Sequence, residues 1–397
     1  MTLRRILAIV AAVLVLLVAF VGGVVVGGHP QATGLTRLSD PLRSFLLGES
    51  GEDLPSQVLD VLKSDYYEPI DATELERSSV EGVIAALGDP YTDYLDPDEL
   101  AALRESFDGA YSGVGLQAAQ SGDGIVITRV YADGPAERAD IRAGDRLVSV
   151  DGRPVAGRAS AAVAEIRGPE GTTVRLGISR GGGAARTYTL ERARIQVPPV
   201  DSRIRTADGR KVGYLRLGRF TRGSADDLRE AVKALREKGA ESLVLDLRGD
   251  PGGLVNEAVG VAGVFLPDDS PVVVTEGLHS PRKTFRTDGQ PAAGDLPLIV
   301  LVNRGSASAS EIAAGALRDA DRAELVGERT FGKALVQSTR PLRDGGALKL
   351  TTARYLTPDG FDLATRGLPP DVRVVDDPAS APDEALQRGL ALAAAAG

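Results

Sequence analysis

The chain has 397 residues, 43% hydrophobic and 25% charged, enough for two or three domains with cores of their own. Its 46 basic residues are outnumbered by 55 acidic ones, for a net charge of −9, and no basic stripe remains to displace counterions from a phosphate backbone, which argues against a nucleic-acid binder. Cysteine is absent, so disulfides and thiolate metal sites are excluded too, and His29 and His279 are the only histidines.

At the N-terminus, Ile6 to Gly28 carries no charge, and its 23 positions at 1.5 Å rise can cross a hydrocarbon core of about 30 Å. Arg4 and Arg5 precede it, which by the positive-inside rule keeps residues 1–5 in the cytoplasm. The expectation is a single-pass signal anchor over 6–28, a stalk over 29–56, and a remainder that lies outside the cytoplasm at the cell membrane. A cleaved signal peptide competes with it, but its apolar region would be shorter, and no Ala-x-Ala-like site lies near Gly27-Gly28-His29-Pro30.

Residues 57–106 read as a helical segment. Val58, Leu59, Val61 and Leu62 have helical spacing, as do Val80, Val83, Ile84 and Leu87, and the second run stops at Gly88-Asp89-Pro90. A turn over Asp89–Leu95 follows, with a bland helical spacer as the competing reading. From 107 to 192 the texture changes to short β-runs with two helices, one opening at Gly134-Pro135 and one over Ser160–Ile166. This small barrel resembles a PDZ domain. Its Ser112-Gly113-Val114-Gly115-Leu116 segment matches the loop whose backbone N–H groups hold a C-terminal carboxylate beside an open strand edge. A nucleotide-binding glycine turn does not fit there, because no βαβ unit follows.

From Val212 onward strands alternate with helices, the pattern of an α/β core over 193–397. Leu243–Leu247 and Leu298–Val302 are continuous apolar runs, as in strands buried on both faces. Catalytic groups in such folds sit where strands run into helix N-termini. Three segments carry candidate chemistry.

In the first, Ser306-Ala307-Ser308-Ala309-Ser310-Glu311 occupies a strand-to-helix turn, and Ser308 with Glu311 also spells a capping box. The two readings share one geometry, since a helix N-terminus suits an oxyanion as well as a cap. In the second, Lys333 is one of only seven lysines in a chain that writes its cations as arginine. Arginine stays protonated and cannot serve as a base, whereas a buried lysine can. Gln337, four residues on, faces the same way as Lys333 in helix or strand. In the third, Asp250-Pro251-Gly252-Gly253 leaves backbone N–H groups at a strand end, as an oxyanion hole requires.

Together these segments resemble the carboxy-terminal processing peptidases, or tail-specific proteases, over about residues 57–375. The resemblance rests on Asp89-Pro90-Tyr91, the PDZ segment, Val212-Gly213-Tyr214, Asp246–Gly253, Gly305–Glu311, Gly327–Lys333 and Thr351–Gly360, in the family's order. It implies a ClpP/crotonase-like α/β core with an inserted PDZ domain. It implies Ser308 as nucleophile, Lys333 as base, Gln337 as its orienter, and an oxyanion hole from the N–H of Ala309 and of Gly252 or Gly253. Two positions depart from the family pattern: Ala334 replaces a usual glycine and Asp250 an asparagine frequent there. Asp250 is expected either to weaken the hole or to point to solvent.

The expected function is a membrane-anchored serine endopeptidase that recognises polypeptides with free C-termini, needs no metal or organic cofactor, and leaves a homodimer open. Arg167, at the end of the second PDZ helix, is expected to pair with an acidic group of the substrate or the core. The alternative is an inactive PDZ scaffold that captures tails for another enzyme. A Ser/His/Asp protease is disfavoured, since His29 adjoins the apolar segment and no serine motif lies near His279.

Overall fold

The computed structural model describes residues 54–68, 70, 80–121, 124–156, 158–363, 366–376 and 383–397. The expected anchor and most of the expected stalk lie outside these residues. Among the described residues no helix is long and apolar enough to cross a membrane.

The core is a six-stranded sheet in the order Val200–Ala207, Arg210–Leu217, Ser242–Asp246, Leu298–Val302, Glu324–Gly327, Val372–Arg373. Its first pair is antiparallel and the rest parallel. The middle strands alternate between two apolar layers, as side chains of period two must. Leu215, Leu217, Leu243, Leu245, Val300 and Val302 pack among the helices Ser224–Glu237, Val255–Ala262 and Ala309–Asp319. Val212, Tyr214, Val244, Ile299 and Leu301 meet the C-terminal helix Glu384–Ala396. Burial on both faces explains the continuous apolar runs of Leu243–Leu247 and Leu298–Val302.

A second sheet begins just after Lys333. Ala347–Leu356 pairs antiparallel with Leu335–Pro341, with Pro271–Gly277 and with Asp93–Leu95. The predicted helices of the N-terminal segment form over Leu54–Asp65 and Val80–Ala86, the second stopping at Gly88, φ 65°. A third helix, Pro97–Phe107, is capped by Asp96, whose carboxylate accepts the Glu99 N–H at 2.8 Å.

The PDZ sheet runs Leu116–Ser121, Gly124–Val130, Arg146–Val150, Thr173–Ser179, Arg186–Glu191, with helices at Pro135–Arg138 and Ala159–Ile166. Its own core includes Val114, Ile127, Leu147 and Leu176. The chain enters and leaves this domain through one two-stranded ribbon, Ala110–Gly113 paired with Ala193–Gln196.

Candidate active site

Two neighbouring parallel strands deliver the Pro-Gly-Gly loop and the serine turn side by side. Ser242–Asp246 runs into Leu247–Gly253, and Leu298–Val302 into Asn303–Ser308. The loops are stitched together: Asp250 O accepts the Ala307 N–H at 3.0 Å and the Ser310 hydroxyl at 2.9 Å, and Leu247 O accepts the Ser306 hydroxyl at 2.8 Å.

Those bonds separate the three serines. The hydroxyls of Ser306 and Ser310 are fully buried and committed to backbone carbonyls. Ser308 is the N-terminal cap of the Ala309–Asp319 helix at φ 54°, ψ −114°, a left-handed φ that a serine adopts only when its surroundings hold it there. Near it, the Tyr355 phenol is buried, and burial raises its pKa while the neighbouring Ser308 side chain opposes the rise.

The carboxylate of Glu311 joins Ser308 to Lys333. Its Oε2 accepts the backbone N–H groups of Ser308 and Lys333, both at 2.9 Å. Its Oε1 accepts the Gly332 N–H at 2.8 Å and the Thr330 hydroxyl. Burial raises the Glu311 pKa, but four donors converging on two oxygens favour the ionised form. The expected capping box forms, with Glu311 reaching back to Ser308 N. The larger role of Glu311, tying Thr330–Lys333 to the serine turn, was not read from the sequence.

Lys333 is half-buried, and its pKa is lowered, chiefly by desolvation and secondarily by Lys349, with Asp89 opposing. Its Nζ lies 4.8 Å from the centroid of the Tyr91 ring, and no hydrogen bond joins it to Ser308 among the described residues. Gln337 is close in sequence, but the parity argument for it is corrected. Lys333 precedes the Leu335–Pro341 strand, and the register shifts between Val336 and Gln337, so regular alternation does not relate the two. The Gln337 amide nitrogen is buried without a partner.

In the Pro-Gly-Gly loop, Gly252 has φ 93°, and a Cβ built there would lie 2.7 Å from Ala309 N and 2.9 Å from Ser308 Cβ. Only glycine leaves the space before the Ala309 N–H open. The Gly252 N–H is taken by Asp250 Oδ1 at 2.8 Å, whereas those of Gly253 and Ala309 have no partner among the described residues. Of the two glycine N–H groups expected at an oxyanion hole, that of Gly253 is therefore the one left free among the described residues.

Asp250 does not point to solvent. It is fully buried, Oδ2 has no partner, and desolvation pushes its pKa up to about 7. The folded pKa exceeds the ordinary 3.8, so the cost of ionising Asp250 is absent below about pH 4 and fully developed above about pH 7. Asp250→Asn should therefore raise the melting temperature by several degrees at pH 8 and by little at pH 4. The limit is roughly 4 kcal/mol, and thermal melts at the two pH values check it. Ala334 also fits: it is buried in the core, and its carbonyl accepts the Tyr355 N–H at 2.7 Å. The glycine that this turn needs is Gly332, φ 90°, whose added Cβ would meet Gly367 N at 3.0 Å.

In the PDZ domain, Leu116–Ser121 is an edge strand, open on the side away from Gly124–Val130. Val114 O and Gly115 O accept the N–H groups of Ala136 and Tyr131, which fixes the loop against the first helix. Gly113 packs on the Tyr111 ring, and Ser112 Oγ is buried without a partner. Among the described residues Arg167 forms no ion pair with an acidic group. Its guanidinium lies 5.2 Å from the centroid of Tyr111, whose hydroxyl donates to Leu116 O at 3.3 Å.

Residues 211–374 match the model of peptidase family S41, and residues 126–180 that of a PDZ domain. The solved photosystem II D1 C-terminal processing protease is 32% identical, with 84% of this chain covering 96% of that one at a TM-score of 0.56. The chain belongs to peptidase family S41. A probable CtpA-like serine protease of Staphylococcus aureus strain N315 is 36% identical over 319 residues, 80% of this S41 chain and 63% of that protein. The chain thus spans less than two thirds of the length of such curated relatives. A putative S41 protease from Bacteroides fragilis NCTC 9343, 17% identical over 87% of this chain and 97% of its own, shares the fold at a TM-score of 0.58.

Proposed function

We propose that this S41 chain is a serine endopeptidase with a Ser308/Lys333 dyad, anchored in the membrane by residues 6–28 with its catalytic part extracytoplasmic, and selecting polypeptides by their C-terminal tails. The observation that carries the reading is the Glu311 carboxylate, whose Oε2 takes the backbone N–H of both Ser308 and Lys333. In the reaction, Ser308 Oγ bonds to the carbonyl carbon while neutral Lys333 takes its proton. The N–H groups of Ala309 and Gly253 hold the tetrahedral oxyanion. The C–N bond then breaks as Lys333 returns the proton to the leaving amine. Water attacks the resulting ester, giving a proton to Lys333 that passes back to Ser308 Oγ.

Tail selection is supported by the free edge of Leu116–Ser121, beside which an extended peptide can add as a strand with its carboxylate at the Ser112–Leu116 loop. The experiment compares one peptide with a free and an amidated C-terminus. Amidation removes the charge and leaves the cleavage sequence unchanged, so kcat/KM should fall severalfold or more. Equal rates would show that the tail does not control cleavage.

One observation favours a second reading, a PDZ scaffold on an inactive core: no hydrogen bond joins Ser308 to Lys333 among the described residues. A protein that binds free C-termini but never turns over peptide at any pH would support it.

A further inference from the structure

The Asp89–Leu95 turn, for which catalysis as described has no task, reaches the base. Asp89 Oδ1 accepts the Tyr91 N–H at 2.9 Å, and Oδ2 accepts the hydroxyls of Thr92 at 2.6 Å and Thr351 at 2.7 Å. Thr92 Oγ1 accepts the Thr351 N–H at 3.2 Å. Asp93–Leu95 then pairs with Ala347–Leu356, Asp93 opposite Lys349. The turn is thereby fixed to the strand whose Thr351 stands opposite Gln337. So anchored, it presents the Tyr91 ring to Lys333 Nζ.

An aromatic face attracts an ammonium and gains nothing comparable from a neutral amine. The contact therefore favours the lysine form that cannot accept a proton. No hydrogen bond joins Lys333 Nζ to Ser308 among the described residues. We infer that Tyr91 is a positioning residue that holds Lys333 as its ammonium, so that the contact opposes the deprotonation Lys333 needs to act on Ser308. The inference rests on the Ser308/Lys333 reading. The groups around Lys333 divide into two sets. Asp89 on the same turn favours the charged form together with the ring, while burial and Lys349 on the neighbouring strand oppose it. Glu311, from the helix, engages the backbone N–H of Lys333.

The test follows peptide kcat/KM and fluorophosphonate labelling of the full chain against pH in four forms: wild type, Tyr91→Phe, Tyr91→Leu, and protein with pentafluorophenylalanine at position 91. The last keeps the ring's shape and reverses the charge of its face, so it remains informative if Tyr91→Leu does not fold. Tyr91→Phe should superpose on wild type. Tyr91→Leu and the fluorinated ring should move the acid limb to lower pH by about half a unit or more and raise labelling below neutrality roughly two- to fivefold. A purely structural role would alter melting temperature and amplitude but not the position of that limb. An acid limb unmoved or moved upward in the fluorinated protein would overturn the inference while leaving the dyad intact. A wild type unlabelled at Ser308 at every pH would overturn the dyad, and this inference with it.

Discussion

Lys333→Arg should lower kcat/KM on the order of a thousandfold, as far as Lys333→Ala does. Arginine keeps the positive charge and much of the length, so it would rescue any role in which the lysine merely balances charge or fills space. It cannot lose its proton under these conditions, so it cannot rescue a base. Wild-type Lys333 can, because burial and Lys349 lower its pKa against the opposing pull of Asp89. Activity should accordingly rise with pH through an acid limb below the ordinary lysine range. Steady-state kinetics of the two variants across pH check both statements, and near-normal turnover by Lys333→Arg would exclude the dyad.

Glu311→Gln should be damaging in a different way. The Glu311 carboxylate accepts from Ser308 N, Lys333 N, Gly332 N and the Thr330 hydroxyl inside the fold. An amide offers one acceptor oxygen, and its NH2 would face two of those donors. Breaking a buried, charge-assisted cluster costs about 2–4 kcal/mol of stability. Because the same cluster sets the spacing of nucleophile and base, kcat should fall on the order of a hundredfold while KM changes little. Denaturant melts and steady-state kinetics check the two parts separately. A Glu311→Gln variant with wild-type kcat would mean that the spacing is held by something else.

The features legible in the sequence were those that local chemistry dictates. Leu243–Leu247 and Leu298–Val302 had to be doubly buried strands, the glycines of the 251–253 turn had to be backbone rather than side-chain features, and a lone lysine near an apolar flank stood out against a background of arginine. The strand Val200–Ala207 was missed because it is half-exposed and carries three charged residues. The strands Leu335–Pro341 and Ala347–Leu356, beside Lys333, carry mixed polar patterns and a register shift that obscures alternation. Glu311 was read as a cap because its sequence neighbours explain it locally, while its partners Thr330, Gly332 and Lys333 lie far along the chain. Tyr91 and Tyr355 reach the site only through tertiary pairing, which no local pattern encodes. Asp250 was legible as a departure, but its direction was not, because burial is decided by the loops packed over it.

The central claim is that Ser308, and neither Ser306 nor Ser310, is an activated nucleophile. A fluorophosphonate probe followed by peptide mapping tests it most directly. The expected result is a single adduct on Ser308, absent in Ser308→Ala and in Lys333→Arg, and retained at a measurable rate in Ser306→Ala and Ser310→Ala proteins that remain folded. An adduct on Ser310, or labelling of Ser308 that persists undiminished in Lys333→Arg, would contradict it.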